Sequence, residues 1–207
     1  MIKMISNVYC VGRNYKLHAA ELGNEVPEEP MIFMKPSHAA VCMDGRILRL
    51  PQGKGEVHYE GELVLRVSRA YEPGAKVDDV VDQMALGIDF TLRDVQTVIK
   101  KKGHPWTAAK GFKNSAPISE FIDFPGAQVA ADQDFTIRKN GTEVQRGNVK
   151  DMIFPLQEIV DYIGMHYGLD EGDIIFTGTP SGVGPCTEGD KFELYWGERL
   201  LGSCVIG

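Results

Sequence analysis

The sequence predicts an α+β fold rich in β-structure, in which a mixed, mostly antiparallel sheet rolls or sandwiches around the core with a few peripheral helices. Glycine is in excess, with 23 residues among 207, and an excess over the usual ~7% indicates many turns. Strand-like segments follow one another without regular βαβ alternation, which argues against a parallel sheet. The dipeptide Asn140-Gly141 between two such segments is a strong signal for a type I′ hairpin.

In the first half of the chain, apolar runs that stop at glycine or proline predict strands, and apolar residues at helical spacing predict helices. The predicted elements are, in order, a strand over 8–11, a helical segment over 15–22, a loop over 24–30, a strand over 31–34, a strand over 57–67, a helix over 77–86, a strand over 87–91 and a helix over 92–102.

The second half continues the same pattern. Strands over 135–139 and 143–146 flank the hairpin turn, and apolar spacing predicts a helix over 155–167 that Gly168 caps. Short strands follow over 173–177, 191–196 and 200–206. Without a repeat or a linker, one domain is expected over residues 1–207.

Composition excludes several classes of protein. The formal charge is −7 and the pI is near 5.3, which lacks the basic footprint of a nucleic-acid binder. The four cysteines form no CxxC pair and are expected to be reduced thiols. The N-terminus resembles no signal peptide, and no apolar run is long enough for a membrane span. A soluble cytoplasmic protein, bound to neither membrane nor nucleic acid, is therefore expected.

Three carboxylates predict a metal site. Glu60 and Glu62 point from one face of the predicted 57–67 strand, about 7 Å apart. The opposite face is apolar, so the strand is expected to be internal, where a divalent cation would neutralise the two like charges. Asp89, in an apolar setting, is the best candidate for a third carboxylate. Such ligands favour Mg²⁺, Mn²⁺ or Ca²⁺ over zinc. A solvated edge strand, which needs no ion, is the alternative.

Other polar side chains also indicate chemistry, each with a simpler alternative. His18 and Glu21, at i and i+3, could form a general base that activates water. The alternative is a pair that lies together on the surface by chance. Arg93 and Gln96 could hold the carboxylate of a substrate. The alternative is that they lie on an exposed helix face. Lys110 lies among small and apolar residues, as a catalytic or anion-binding ammonium would.

The segment 177–184 is dense in glycine and follows a predicted strand. Such a loop lets backbone N–H groups approach an anionic ligand. It lacks the Gly-Lys-Ser/Thr ending of a phosphate-binding loop and the GxGxxG pattern of a dinucleotide loop. A plain tight turn is the alternative.

Together these segments resemble the fumarylacetoacetate hydrolase family from Tyr9 to the C-terminus. The motifs that carry the resemblance are Gly12-Arg13-Asn14-Tyr15 followed by His18 and Glu21, Phe33-Met34-Lys35-Pro36, His58-Tyr59-Glu60-Gly61-Glu62-Leu63, the segment from Asp89-Phe90 to Gln96, Lys110-Gly111-Phe112 and the glycine-rich segment 177–184. The resemblance implies the mixed β-roll of that family's C-terminal domain, a homodimer, and a lid over residues 13–30.

The resemblance also implies a role for each candidate residue. Glu60, Glu62 and Asp89 would hold one Mg²⁺ or Mn²⁺, His18 and Glu21 would activate water, Lys110 would stabilise oxyanion charge, and Arg93, Gln96 and Thr179 would contact the substrate.

The implied substrate is a small 2-oxo acid. The first expectation is hydrolysis of the C–C bond of short 3-acylpyruvates, such as acetylpyruvate or fumarylpyruvate, through an enolate of pyruvate. Oxaloacetate decarboxylation or keto–enol tautomerisation is the alternative. The chain has no room for the N-terminal domain of the larger fumarylacetoacetases, which makes fumarylacetoacetate itself less expected. A metal- or anion-binding module without catalysis is the alternative outside enzymes.

Overall fold

The computed structural model describes residues 5–21 and 26–207, apart from the side chains of residues 18–20. The strands of this part of the chain are β1 (Val8–Gly12), β2 (Met31–Lys35), β3 (Ala40–Cys42), β4 (Asp44–Leu48), β5 (Val57–Tyr59), β6 (Gly61–Val67), β7 (Val81–Ile88), β8 (Thr91–Leu92), β9 (Ala116–Ile118), β10 (Ile122–Asp123), β11 (Phe135–Lys139), β12 (Thr142–Gly147), β13 (Ile174–Phe176), β14 (Gly184–Cys186), β15 (Lys191–Trp196) and β16 (Arg199–Ile206). Its α-helices are α1 (Lys16–Glu21), α2 (Val77–Val80), α3 (Arg93–Lys101), α4 (Thr107–Lys110), α5 (Ala127–Ala130) and α6 (Leu156–His166).

The described strands form three sheets. The largest has eight strands in the order β2-β1-β13-β6-β7-β9-β3, with β10 also paired to β7. A five-stranded sheet has the order β12-β11-β15-β16-β4, and a three-stranded sheet the order β14-β5-β8. Most pairs are antiparallel, and three are parallel: β1 with β13, β16 with β4, and β3 with β9. The predicted β-rich α+β class is confirmed.

The central strands of the large sheet are buried on both faces. Leu63 and Leu65 of β6 belong to the larger core cluster, which also contains Phe192 of the five-stranded sheet and Ile159 of α6. Val64, on the opposite face of β6, belongs to a second, smaller cluster. Burial on both faces explains the nearly continuous apolar run of this strand. Among the described helices, none is long and apolar enough to cross a membrane.

The helix predicted over 77–86 is wrong. Helix α2 ends at Val80, and the chain continues as the eight-residue strand β7. The apolar residues have helical spacing, but β7 pairs with β6 from Gly61↔Ile88 to Val67↔Val81. This long pairing satisfies the backbone of a central strand, and side chains on both faces become buried. Tertiary pairing therefore outweighs the local periodicity.

The strand predicted over 57–67 is divided at Glu60. Strand β5 belongs to the three-stranded sheet, whereas β6 belongs to the eight-stranded sheet. The strand predicted over 87–91 is divided in the same way, because β7 ends at Ile88 and β8 lies in the three-stranded sheet. The backbone N–H of Asp89 donates to the carbonyl of Glu60 at 2.7 Å. Both chain segments thus change sheet side by side, and this junction holds two of the predicted carboxylates.

Other local predictions are confirmed. Asn140 and Gly141 both have positive φ, 54° and 81°, as a type I′ turn requires, and β11 and β12 form the predicted hairpin. Helix α6 ends before Gly168, whose φ of 84° fits a C-terminal cap. The strands missed by the sequence, β3, β4, β9, β10 and β14, have two to five residues each. Segments that short carry little periodicity.

Candidate active site

Three carboxylates meet at the junction between the sheets. Glu60, Glu62 and Asp89 each place one oxygen within 4.8 Å of the others. All three are buried, with exposed fractions of 6%, 2% and 1%. The sequence singled out the same three residues, and the structure brings them together. Their role as metal ligands stays a prediction.

The carboxylates fit a hard divalent cation. Burial raises the pKa of Glu62 well above its ordinary value, and repulsion from Asp89 raises it further. Asp89 Oδ1 is buried and, within the described chain, has no partner in hydrogen-bond geometry, although Lys35 Nζ lies at ion-pair distance. Mg²⁺ and Mn²⁺ prefer oxygen ligands of this kind. A bound cation would relieve both the repulsion and the incomplete partnering.

Glu62 is held by the glycine-rich segment that follows β13. The backbone N–H of Gly178 donates to Glu62 Oε2 at 2.7 Å. Gly178 has a φ of 104°, and a Cβ atom built there would lie 2.6 Å from the Cβ of Asn14. Only glycine therefore fits this position. The predicted approach of loop N–H groups to an anion is observed here with a carboxylate of the protein itself.

Lys110 is buried against two of the carboxylates. Its Nζ donates to Glu60 Oε2 at 2.7 Å, to Asp89 Oδ2 at 2.6 Å and to Thr91 Oγ1 at 2.6 Å. Burial alone would lower the pKa of Lys110, but attraction to Asp89 and Glu60 outweighs it, and the pKa is raised. Lys110 is thus an ammonium fixed inside the site, as an oxyanion-stabilising role requires.

A second buried lysine was missed by the sequence analysis. Lys35 Nζ lies 2.6 Å from Asp89 Oδ1 and donates to the carbonyls of Ser115 at 3.1 Å and Phe90 at 3.3 Å, as well as to that of Lys110. A lysine at the end of a strand is usually exposed, so the sequence gives no clear signal for the burial of Lys35.

The predicted pair on α3 also reaches the site. Arg93 Nη1 donates to Gln96 Oε1 at 2.7 Å, and Arg93 Nη2 donates to Glu60 Oε1 at 2.5 Å. Thr179 Oγ1 donates to the carbonyl of Gly61 at 2.9 Å. These side chains line the same cleft as the carboxylates. Their contacts with substrate stay predictions.

Two predicted residues lie on α1. The carboxylate of Glu21 accepts from the backbone N–H of Gly182 at 3.1 and 3.3 Å, so it contacts the glycine-rich segment. His18 belongs to the helix, but its side chain lies outside the described residues, as do residues 22–25 of the predicted 13–30 lid. The dyad, the lid and the homodimer stay predictions.

Two buried amides support the site and were not predicted. Gln145 Oε1 accepts from the N–H of Gly61 at 2.8 Å, and its Nε2 donates to Thr179 Oγ1 at 2.8 Å. Asn14 Nδ2 donates to the carbonyl of Thr177 at 2.8 Å. Each amide joins segments more than a hundred residues apart or in different sheets, and no local pattern marks such a residue.

The cleft above the carboxylates is small and rich in charge. Its volume is about 50 Å³, which is on the scale of a few water molecules. Phe33 and Trp106 form apolar parts of its wall, and Arg13, Arg93 and Lys100 are cations that line it. Apolar walls strengthen the electrostatic interactions inside such a cleft. The arrangement suits a small anionic ligand.

The pKa of Glu62 leads to a testable dependence on metal and pH. We expect Mg²⁺ to stabilise the folded protein more at about pH 8 than at about pH 5. The pKa of Glu62 is raised well above its ordinary value by burial and by repulsion from Asp89, so in this window the metal-free folded state binds a proton that the unfolded state releases. The contribution of Glu62 to the free energy of unfolding therefore decreases as pH rises, and a bound cation replaces the proton.

Thermal unfolding with and without Mg²⁺ across this pH range measures the effect. The Glu62→Gln variant, which cannot ionise, is the control and should lose the pH dependence of the Mg²⁺-induced shift. An increase in unfolding temperature with Mg²⁺ that is the same at every pH in the unmodified protein would contradict the expectation.

Comparison with known protein families identifies the family to which this chain belongs. Residues 7–204 match the family described as fumarylacetoacetate (FAA) hydrolase C-terminal. The chain therefore belongs to the fumarylacetoacetate hydrolase family, and the resemblance seen in the sequence is confirmed.

Three similar proteins carry the names of enzymes. Oxaloacetate tautomerase YcgM of Escherichia coli is 39% identical over 207 residues, which cover 98% of this chain and 93% of that protein. The human mitochondrial oxaloacetate tautomerase FAHD1 is 40% identical over 189 residues, covering 90% of this chain and 85% of that protein. Fumarylpyruvate hydrolase from Pseudomonas aeruginosa, solved with Mn²⁺ and pyruvate, is 32% identical with a TM-score of 0.84, covering 98% of this chain and 89% of that one. The relatives are thus enzymes.

Proposed function

We propose that this protein is a divalent-metal-dependent enzyme that catalyses keto–enol tautomerisation of oxaloacetate. The observation that carries the proposal is the cluster of three buried carboxylates with the Lys110 ammonium bridging Glu60 and Asp89. A site of this composition suits a 2-oxo acid, which enolises when charge on its 2-oxo oxygen is stabilised. Two relatives that align over 90% or more of the chain, at 39% and 40% identity, are both named oxaloacetate tautomerases.

Each group of side chains in the site would have a separate role in the reaction. Glu60, Glu62 and Asp89 would hold one Mg²⁺ or Mn²⁺, which supplies Lewis-acid polarisation of the 2-oxo group. The Lys110 ammonium would stabilise negative charge that develops as C3 loses a proton. The His18/Glu21 pair would take that proton from C3 and deliver one to the 2-oxo oxygen, which gives the enol; the reverse transfer gives the keto form.

Arg93 and Gln96 would orient the substrate. An arginine fork matches the planar geometry of a carboxylate, and both side chains line the cleft. The bond of Arg93 to Glu60 keeps the guanidinium beside the carboxylate cluster. The substrate carboxylate next to the 2-oxo group would therefore bind between α3 and the three carboxylates.

Hydrolysis of short 3-acylpyruvates is the second candidate. It is favoured by the similarity to a fumarylpyruvate hydrolase solved with Mn²⁺ and pyruvate. Such a reaction would use the same carboxylates and Lys110, and the His18/Glu21 pair would activate a water molecule. The two candidates differ in the bond that changes, because tautomerisation moves a proton and breaks no carbon–carbon bond.

A kinetic panel separates the candidates. Oxaloacetate, acetylpyruvate and fumarylpyruvate are supplied with Mg²⁺ or Mn²⁺, and enol absorbance, pyruvate and CO₂ are followed. We expect enol–keto equilibration of oxaloacetate to be accelerated more than any release of pyruvate, and the acceleration to be lost in Glu62→Gln. Faster release of pyruvate from an acylpyruvate would favour the hydrolase, and CO₂ from oxaloacetate would favour the decarboxylase. Metal binding without turnover would indicate a binding module.

A further inference from the structure

Two cations of the cleft have no assigned role. Arg13 directly follows β1, and Lys100 lies on α3 one helical turn beyond Gln96. Because residues 93, 96 and 100 are spaced at i, i+3 and i+7, they share one face of α3. Arg13 and Lys100 line the cleft together with Arg93 and Gln96. In the described part of the chain, neither Arg13 nor Lys100 forms an ion pair with a carboxylate.

The formal charges of the site leave these two cations uncompensated. The three carboxylates are equalled in number by three cations, Lys35, Lys110 and Arg93, which contact Glu60 and Asp89. Glu62 accepts a hydrogen bond from the backbone N–H of Gly178. Partial burial lowers the pKa of Lys100, and repulsion from Arg13 and Arg93 lowers it further. Lys100 is exposed and Arg13 half-buried, so the two residues lie toward the solvent side of the cleft. This mouth of the cleft carries excess positive charge, which an anionic group of a ligand would relieve.

The backbone of Arg13 is held in an unfavourable conformation. Its φ of 58° lies in the left-handed region, which is sterically unfavourable for a residue other than glycine. The next residue, Asn14, is buried and held by its side chain. Asn14 Oδ1 accepts from the N–H of Phe154, and Asn14 Nδ2 donates to the carbonyl of Thr177, both at 2.8 Å. Strain held by surrounding contacts is common at functional positions.

We propose that Arg13 and Lys100 form a second carboxylate subsite, which selects dianionic 2-oxo acids over monoanionic ones. This inference rests on the proposed function, because that function places the 2-oxo end of the substrate at Glu60, Glu62 and Asp89. The far carboxylate of a four-carbon dicarboxylic 2-oxo acid then extends toward the mouth of the cleft. An acylpyruvate of similar size carries a neutral acyl group there and gains nothing from the two cations.

Binding of two unreactive ligands tests the subsite. Isothermal titration of the Mg²⁺-loaded protein compares 2-hydroxysuccinate, a dianion, with 2-hydroxybutyrate, a monoanion of similar length. We expect the dianion to bind about tenfold tighter or better, and the preference to shrink with added salt. Arg13→Asn and Lys100→Gln should each reduce the preference several-fold.

Matched variants separate this effect from damage to the fold. Asparagine tolerates positive φ, so Arg13→Asn should leave the unfolding temperature unchanged or raise it. Lys100→Arg should restore the preference. Lys101→Gln, which removes an exposed charge from the next residue of α3, should leave it intact.

The outcomes distinguish this inference from the proposed function. Equal affinity for the two ligands, a preference retained in both Arg13→Asn and Lys100→Gln, or an equal loss in Lys101→Gln would overturn the subsite. A preference that behaves as expected in a protein that does not turn over oxaloacetate would support the subsite and contradict the tautomerase. If both hold, Arg13→Asn should raise the KM for oxaloacetate and leave the KM for acetylpyruvate unchanged.

Discussion

Replacing Asp89 with asparagine is expected to reduce metal-dependent turnover by about 1,000-fold or more. Asp89 is 1% exposed, and its two oxygens lie 2.6 Å from Lys35 Nζ and 2.6 Å from Lys110 Nζ. The variant loses an oxygen ligand and leaves two buried ammonium groups with one counter-charge fewer. Removing one partner of such a buried pair costs about 3–5 kcal/mol. Activity and stability should therefore fall together.

Denaturant unfolding, Mg²⁺ titration and turnover measure the three effects on the same preparation. Asp82→Asn is the matched control, because Asp82 is an exposed residue of β7 and the substitution is chemically the same. It should change none of the three quantities appreciably. Metal-dependent turnover that survived in Asp89→Asn would show that the carboxylate cluster is not the catalytic centre.

Replacing Lys110 with methionine is expected to have a different signature. Turnover should fall by about 100- to 1,000-fold, because a fixed cation beside the developing negative charge is lost. Mg²⁺ should bind as tightly as before or more tightly, since Glu60 and Asp89 each lose a cation at 2.7 Å and 2.6 Å. The metal-free protein should be destabilised, and Mg²⁺ should recover most of the difference.

The measurements are kcat, the Kd for Mg²⁺ and the unfolding temperature with and without the ion. Lys113→Met is the control, because Lys113 is exposed and lies three residues further along the chain. If Lys110→Met weakened Mg²⁺ binding and lowered kcat by the same factor, Lys110 would be a support for the carboxylates rather than a group that acts on the substrate.

The carboxylates and the lysine that the sequence identified share one property, an ionisable side chain in a largely apolar segment. Asp89 and Lys110 stand out for this reason, and the structure confirms that both are buried. Lys35 has the same property at the end of an apolar strand, yet its partner Asp89 is distant in the sequence. Gln145 and Asn14 are uncharged, and their bonds reach segments 84 and 163 residues away. Only the folded chain reveals such contacts.

The errors in the fold have a common cause as well. Local spacing predicts α6 and the 135–147 hairpin correctly because each is determined by neighbouring residues. Strand β7 has apolar residues at helical spacing, and its conformation is decided by its partner β6 on one side and β9 and β10 on the other. The break at Glu60 likewise depends on which sheet each half joins. Long-range pairing is the information that a single sequence lacks.

The change of sheet at Glu60 also bears on which ion the protein would accept. Glu60 and Glu62 flank Gly61, whose N–H donates to Gln145 Oε1. The carbonyl of Glu60 accepts from the N–H of Asp89. A donor set fastened so closely to the backbone is pre-organised and adapts poorly to ionic radius. Ca²⁺ takes six to eight oxygen ligands at about 2.3–2.6 Å in flexible geometry, whereas Mg²⁺ demands near-octahedral coordination at about 2.0–2.1 Å. The rigidity of the junction thus favours the smaller ions.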